Sequence, residues 1–252
     1  MKCLLLSILF ILSCFLSITQ TLIHAHNDYQ KPEPLTHSLR YKVFSIEADI
    51  YLSEGKLLVA HNKNELSLAK TLDSLYLQPL NELYNQYHGT VSTDSAYAPI
   101  LVIDIKENGE AVIAELIKRL VSHRSVFDRS VNPKAVQIVI SGDRGSSLKW
   151  ASYPSYIFFD GRPYEAYDSA ALQRVAFISD SFSNYCRSGD TVCLPLQQLV
   201  KKVHNMNKLL RLWAIPDNEE WWNRLHKLGV DIINTDKVAE CRNYFSSGVS
   251  QQ

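Results

Sequence analysis

Three pairs of polar residues end or follow short apolar segments of the chain, and the two members of each pair are two positions apart. These pairs are His24 and His26, Glu47 and Asp49, and Asp104 and Lys106. Residues i and i+2 of a β-strand project from the same face, so an extended segment would present both members of its pair together. The spacing therefore predicts strands whose ends carry a polar site.

Three of these side chains, Glu47, Asp49 and Asp104, are carboxylic acids. Brought to one place they would repel each other, unless their pKa values rise or a cation lies between them. A ligand set made only of oxygen suits a hard divalent ion, Mg2+ or Ca2+, better than zinc. We therefore predict one divalent cation here, with the choice between Mg2+ and Ca2+ left open.

Two histidines are candidates for acid–base chemistry beside these acids. His26 ends one segment and His61 follows another, and imidazole has a pKa suited to proton transfer near neutral pH. Lys106 adds a fixed positive charge. A cation, a lysine and two histidines together suit a substrate with a negative phosphoryl group. Because His24 shares a face with His26, we expect one of the two to support the other.

Three further side chains are predicted to contact substrate. Trp213 lies late in an apolar segment, where an aromatic wall can contact a head group. Asn234 ends the last such segment, and Asn27 directly follows His26. A single acid late in a strand often only caps a helix or pairs with an arginine. The prediction of a metal site therefore depends on the three acids occurring together with two histidines and a lysine.

Eight β-rich apolar segments must position these side chains. They are residues 22–26, 44–50, 100–105, 135–141, 156–160, 175–179, 209–215 and 231–234. Alternation with helical or polar stretches predicts parallel pairing, and eight units predict a single-domain α/β fold, the (β/α)8 or TIM barrel. An open doubly wound sheet is the alternative, which the lack of a glycine-rich nucleotide motif weakens. A ninth run, residues 57–60, is either an extra strand or part of a loop.

Helical periodicity is found between several of these segments. It covers residues 110–122, 196–206 and 219–228. Within 110–122 the apolar side chains recur at the spacing of one helix face. Gly229 follows the last of the three, where glycine commonly ends a helix. In a parallel barrel the active site lies at the carboxyl ends of the strands, which is where the paired polar residues fall.

The composition limits the classes of function. The 252 residues contain 26 Lys+Arg and 26 Asp+Glu, so the formal net charge is zero. This balance argues against a nucleic-acid-binding protein, whose affinity depends on neutralising phosphates. Hydrophobic residues make up 46% and charged residues 21% of the chain, which excludes a disordered or fibrous protein.

The first 19 residues have the pattern of a secretory signal peptide. Lys2 precedes an uncharged apolar run that is marginal in length for a bilayer span, and no basic cluster follows it. We expect cleavage to leave residues 20–252 as the barrel, secreted or periplasmic, with no stable membrane span. A lipoprotein modified at Cys14 and a retained anchor are the alternatives.

Three cysteines, Cys186, Cys193 and Cys241, follow the signal-like segment. Export makes a disulfide chemically possible, and Cys186 and Cys193 flank a short polar stretch that such a bond would close. Three unpaired thiols are the other interpretation.

The motifs together resemble those of the phosphatidylinositol phospholipase C-like phosphodiesterases, a superfamily that includes glycerophosphodiester phosphodiesterases and sphingomyelinase D-like enzymes. In chain order they are HAHNDY, EAD, EGKLLVAHN, LVIDIK, LWAIPD and GVDIINTD. Together with SIEADIYL and LYLQPL, the opening motif is similar to a branch of secreted bacterial proteins related to the fungal altered inheritance of mitochondria protein 6. The resemblance extends over essentially the whole chain after the signal-like segment.

This resemblance implies a TIM barrel with one divalent ion and two catalytic histidines. The ion would be held by Glu47, Asp49 and Asp104, the histidines would be His26 and His61, and Lys106 would bind the phosphoryl oxygens. In the related enzymes a substrate hydroxyl often attacks phosphorus to give a cyclic phosphate.

Two departures from the resemblance concern the head group. Many glycerophosphodiester phosphodiesterases have Arg-Gly after the first histidine, where this chain has Asn27 and Asp28. Asn62 stands where an Asp commonly follows the second histidine.

We therefore expect a metal-dependent phosphodiesterase that cleaves a P–O bond of a glycerophosphodiester or phospholipid-derived substrate, by hydrolysis or by cyclisation. A barrel that binds a phosphorylated ligand without catalysis is the alternative, which the intact histidine pair disfavours. A glycoside hydrolase would place two carboxylates across the barrel mouth, and Glu47 and Asp49 on one strand fit that arrangement poorly. The expected partner is a small-molecule or lipid phosphodiester, and no nucleic acid.

Overall fold

The apolar segments form nine β-strands in residues 21–247, which are the residues that the computed structural model describes. The strands are β1 (Leu22–Ala25), β2 (Ser45–Ser53), β3 (Lys56–Val59), β4 (Ile100–Ile105), β5 (Gln137–Gly142), β6 (Ile157–Gly161), β7 (Val175–Ser181), β8 (Leu210–Trp213) and β9 (Ile232–Thr235). Because β1 pairs in parallel with both β2 and β9, eight parallel strands close on themselves in the order β1-β2-β4-β5-β6-β7-β8-β9. The predicted single-domain TIM barrel is confirmed.

Eight α-helices lie between or after the strands of the described residues. They are α1 (Thr36–Arg40), α2 (Gln78–Gln86), α3 (Gly109–Leu120), α4 (Arg124–Phe127), α5 (Ser169–Arg174), α6 (Leu194–Asn205), α7 (Glu219–Lys227) and α8 (Val238–Ser246). The three predicted helices correspond to α3, α6 and α7. Asn218 starts α7, because its side chain accepts the backbone N–H of Trp221, and acidic residues suit the positive end of the helix dipole that follows.

The ninth predicted run is strand β3, which pairs antiparallel with the outer half of β2. Glu54 and Gly55 join the two strands with φ values of 50° and 73°, the left-handed conformation that a two-residue hairpin turn requires. The hairpin returns the chain to the barrel mouth, where the backbone N–H of Ala60 donates to the carbonyl of Asp49 at 3.1 Å. His61 is therefore brought beside a residue twelve positions earlier in the chain.

The barrel interior is apolar at its base and polar at its mouth. Ile100 and Val102 belong to a small buried cluster, and Asp104 follows them on the same face of β4. A larger buried cluster fills the space between the strands and the surrounding helices. The alternation along β4 therefore places its one acid where the polar ends of the other strands meet.

Cys186 and Cys193 form a disulfide that closes the loop between β7 and α6, with their Cα atoms 5.3 Å apart. Cys241 is a free, buried thiol. Of the two interpretations from the sequence, the structure supports the loop closed by a disulfide and not three unpaired thiols.

The signal-like segment, residues 1–19, lies outside the described residues. Between residues 21 and 247, none of the helices combines the length and the apolar character needed to cross a membrane.

Substitution of Gly142 is expected to damage the barrel mouth. Gly142 has φ of 67°, and an added Cβ would lie 2.2 Å from the carbonyl oxygen of Ile105. Gly142→Ala should lower the free energy of unfolding by about 2–5 kcal/mol, through left-handed strain and overpacking together. Gly55→Ala is the matched control, because Gly55 has φ of 73° but open space around it. Its loss should be about 1–2 kcal/mol in chemical denaturation, and equal losses for both variants would contradict the predicted clash.

Candidate active site

A cavity of about 340 Å3 opens at the carboxyl ends of the barrel strands. It is lined by His26, Asn27, Glu47, His61, Asp104, Lys106, Ser141, Arg162, Arg211, Trp213 and Ala214. Seven of the nine predicted site residues line it. The other two, Asp49 and Asn234, are buried directly behind lining residues: Asp49 contacts His61 and Lys106, and Asn234 accepts a hydrogen bond from Arg211.

The Asp49 carboxylate is the centre of this arrangement. Its Oδ2 atom contacts three donors: Tyr29 Oη at 3.0 Å, His61 Nδ1 at 2.9 Å and Lys106 Nζ at 2.7 Å. Its Oδ1 atom is buried and has no hydrogen-bond partner among the described residues. Burial, and then the negative charge of Glu47, raise the pKa of Asp49 above its ordinary value. One oxygen of this acid is therefore left available to a cation.

Lys106 forms ion pairs with two of the predicted metal ligands. Its ammonium group lies 2.7 Å from Asp49 Oδ2 and 2.6 Å from Asp104 Oδ2. Burial lowers the pKa of Lys106. The charges of Asp104 and Asp49 and the hydrogen bonds to them outweigh burial, so that the pKa rises to about 12. Lys106 is accordingly charged at neutral pH and within reach of a bound anion.

Glu47 is held at the floor of the cavity by two basic side chains. Its Oε2 lies 2.7 Å from His24 Nε2 and 3.1 Å from Arg211 Nη1. Burial by itself raises the pKa of Glu47, but the hydrogen bond from His24 and the charge of Arg211 outweigh it and hold the pKa well below its usual range. Glu47 is therefore an anion.

His24 is a supporting residue and does not line the cavity. It is fully buried, with Nδ1 2.8 Å from Ser45 Oγ. Burial and the nearby Arg211 lower the pKa of His24 to about 4, so the ring is neutral and orients Glu47. Of the two histidines on this face, His26 is the one exposed to the cavity.

His26 and His61 each have a carboxylate on Nδ1. His26 Nδ1 lies 3.0 Å from Asp236 Oδ1, and His61 Nδ1 lies 2.9 Å from Asp49 Oδ2. Such a partner fixes the tautomer and leaves Nε2 free for chemistry. Burial lowers the pKa of His26, but the hydrogen bond to Asp236 and the charge of Glu47 outweigh it, so that the pKa of His26 is raised.

The carboxylates fit a hard divalent ion by their chemistry. They offer oxygen atoms only, and Asp49 Oδ1 is buried without a partner in residues 21–247. Their ligand atoms do not form a group within 4.8 Å of one another; in the described chain only Cys186, Asp190 and Cys193 do, and two of these are joined in the disulfide. An ion held by Glu47, Asp49 and Asp104 therefore requires these side chains to move closer together.

Two residues of the last strands were missed as site residues. Arg211 precedes Trp213 by two positions on the same face of β8, which is the spacing that identified the other pairs. Asp236, which contacts His26, follows Asn234 at the same interval. The i, i+2 spacing of both residues is visible in the sequence, but their contacts with Glu47 and His26 are not.

A buried acid on β6 joins two arginines and was also missed. Asp160 Oδ2 lies 2.9 Å from Arg162 Nη1 and 3.2 Å from Arg211 Nη2, and it accepts hydrogen bonds from Ser141 and Ser179. Burial raises the pKa of Asp160, but the two guanidinium groups outweigh it and lower the pKa. The position of Asp160 at a strand end was visible in the sequence, but its partners were not.

The two departures from the expected motifs hold loops in place. Asp28 is fully buried and accepts hydrogen bonds from Leu35 N, Ser38 Oγ and Tyr76 Oη, which fix the loop after β1. Asn62 starts a 3₁₀ turn whose Glu65 accepts the backbone N–H groups of both His61 and Asn62.

Comparison with known proteins identifies the family. The sequence pattern of the AIM6-like phosphodiesterase domain matches residues 13–160, more than half of the chain. The chain belongs to this family. Residues 210–239 also match the glycerophosphoryl diester phosphodiesterase family, and they contain Arg211, Trp213, Asn234 and Asp236.

Similar proteins from fungi support the assignment over most of the chain. The altered inheritance of mitochondria protein 6 homolog of Arthroderma benhamiae is 25% identical over 261 residues, which cover 88% of this chain and 83% of that protein. Altered inheritance of mitochondria protein 6 of Kluyveromyces lactis is 27% identical and covers 88% of this chain and 71% of its own length.

Solved structures share the barrel. A glycerophosphodiester phosphodiesterase from Parabacteroides distasonis superposes with a TM-score of 0.57 at 15% identity, covering 90% of this chain and 98% of that one. A Ca2+-dependent phosphatidylinositol-specific phospholipase C from Streptomyces antibioticus gives 0.55 at 10% identity, covering 90% and 95%. At these identities the likeness concerns the fold.

Removal of the Asp236 charge should lower the pKa of His26. Asp236→Asn eliminates the anion whose hydrogen bond and charge favour the imidazolium form. NMR titration of the His26 ring should therefore show a lower midpoint than in the wild-type protein. Asp231→Asn is the control, because Asp231 contacts His204 and not His26. An unchanged His26 midpoint in Asp236→Asn would contradict the proposed pairing.

Proposed function

We propose that this protein is a secreted or periplasmic, metal-dependent phosphodiesterase that cleaves a P–O bond of a glycerophosphodiester or phospholipid-derived substrate. The observation that carries the proposal is a pair of histidines, each with a carboxylate on Nδ1, that face one cavity beside Lys106. Membership of a phosphodiesterase-like family supports this class of reaction. The side chains of both histidines are partly exposed, 32% for His26 and 47% for His61.

The two histidines divide the proton transfers. His26 takes the proton of the attacking hydroxyl or water, and Asp236 stabilises the imidazolium that forms. His61 gives a proton to the leaving oxygen, with Asp49 orienting its ring. When a substrate hydroxyl attacks, the P–O bond to the leaving group breaks and a cyclic phosphate forms; when water attacks, the product is a phosphomonoester.

The cations of the site hold the phosphoryl group. Lys106 donates to the phosphoryl oxygens once it releases one of its two carboxylates. Glu47, Asp49 and Asp104 would hold the divalent ion, which supplies Lewis-acid polarisation of a phosphoryl oxygen when bound. Arg211 keeps Glu47 ionised and in place.

Export is supported by the disulfide in the described residues. Cys186–Cys193 closes a loop on the same side of the barrel as the cavity, after β7. Disulfides persist in oxidising compartments and are rare in the cytosol, which agrees with the signal-like start of the chain.

Substitution of either histidine should abolish cleavage without unfolding the barrel. His26→Ala and His61→Ala are each expected to lower kcat by about 10²–10⁴-fold, measured by phosphorus NMR as loss of the diester resonance of glycerophosphoinositol and glycerophosphocholine. His123→Ala is the control, because His123 is exposed after α3, outside the cavity. Wild-type activity in a His26→Ala/His61→Ala double variant would exclude the assignment. Binding of a phosphorylated ligand without turnover by the wild-type protein would favour a non-catalytic barrel.

Removal of divalent ions should stop the reaction reversibly. Exhaustive chelation of the wild-type protein is expected to abolish product formation, and titration with Mg2+ or Ca2+ should restore it and identify the preferred ion. Asp49→Asn should weaken ion binding in calorimetry, because Asp49 Oδ1 is a buried carboxylate oxygen without a hydrogen-bond partner among the described residues. Asp94→Asn, on the surface, should bind as the wild type does. Full activity after chelation would refute metal dependence.

A further inference from the structure

Arg162 lies across the barrel mouth from the proposed reaction centre. In the closed strand order, β6 stands four places from β1, so Arg162, which follows β6, is opposite His26, which follows β1. Lys106 follows β4, between these two positions. Arg162 and the proposed phosphate-binding residues therefore line different sides of one cavity.

The Arg162 guanidinium is fixed in orientation and only partly used. Its hydrogen bonds within the described residues all run through Nη1, to Ser179 Oγ and to the carbonyls of Asp160 and Gly161. Arg162 lines the cavity, and its Nε and Nη2 groups make no hydrogen bond with the described residues. The group also stacks on Trp213, with Cζ 4.8 Å from the ring centroid.

Arg162 shares its carboxylate partner with a second arginine. Its only carboxylate partner in residues 21–247 is Asp160, and Asp160 is shared with Arg211. Trp213 is the one tryptophan, tyrosine or phenylalanine that lines the cavity, and Arg162 lies against its ring. A quaternary ammonium or ammonium head group at this aromatic wall would meet a guanidinium, which repels it.

We infer that Arg162 selects a head group that carries its own negative charge, such as a phosphomonoester, over one that carries an ammonium charge. A guanidinium offers paired N–H donors that match phosphate geometry, and here stacking and Asp160 hold these donors ready. The inference rests on the proposed function, since it names the alcohol side of the same substrate.

A series of three glycerophosphodiesters that differ in head-group charge tests this selection in the wild-type protein. kcat/KM should be highest for glycerophosphoinositol 4-phosphate, intermediate for glycerophosphoinositol and lowest for glycerophosphocholine. The difference between the anionic and cationic substrates should be about tenfold or more, the effect of one charge-assisted hydrogen bond.

Arg162→Gln should remove the preference, chiefly by an increase of about tenfold in KM for the anionic substrate relative to the KM for glycerophosphocholine. Arg162→Lys should keep part of the preference, because it retains the charge without the paired donors. Arg224→Gln is the matched control: Arg224 also stacks on a tryptophan, 4.4 Å from Trp221, but lies outside the cavity.

The outcomes separate this inference from the proposed function. If the metal-loaded wild-type protein cleaves none of the three substrates, the proposed function fails. If it cleaves all three with equal kcat/KM, or if glycerophosphocholine is preferred, the selection by Arg162 is overturned without any variant. An unchanged preference in Arg162→Gln with a wild-type melting temperature overturns it as well.

Discussion

The structure of the cavity depends on one buried carboxylate, that of Asp49. Three donors from three separate segments converge on its Oδ2 atom: Tyr29 after β1, His61 after β3 and Lys106 after β4. A charge buried without partners costs several kcal/mol, so these contacts are what permit an acid to stand at this position. Because all three act on one oxygen, the other is left for a cation.

The remaining charges of the cavity floor form an alternating chain. Glu47 contacts Arg211, Arg211 contacts Asp160, and Asp160 contacts Arg162. Such a chain contributes little to stability beyond what apolar packing would give, but breaking it at one member would leave a buried charge unpaired. Its effect is to fix the ionisation of Glu47 and the orientation of Arg162, and both of these residues line the cavity.

Much of the fold could be predicted because the signals are local. Each of the eight barrel strands is a short apolar segment, and the i, i+2 rule places polar pairs at their carboxyl ends. The short helices α1, α4 and α5 have too few turns for a periodic signal, so they were not predicted.

The partners of the site residues were not predictable, because they depend on closure of the barrel. Arg211 contacts His24 across 187 positions, and His26 contacts Asp236 across 210. Nothing in the local pattern of either residue indicates these contacts. The placement of His61 likewise depends on the hairpin turn at Glu54 and Gly55, whereas the sequence left the run after that turn open between a strand and a loop.

Phosphorus NMR of the reaction mixture is the most direct test that this cavity breaks a P–O bond. With glycerophosphoinositol and Mg2+ or Ca2+, the wild-type protein should replace the diester resonance by that of a phosphomonoester or a five-membered cyclic phosphate. A diester resonance that persists unchanged with the metal-loaded protein, for every diester offered, would contradict catalysis at His26 and His61.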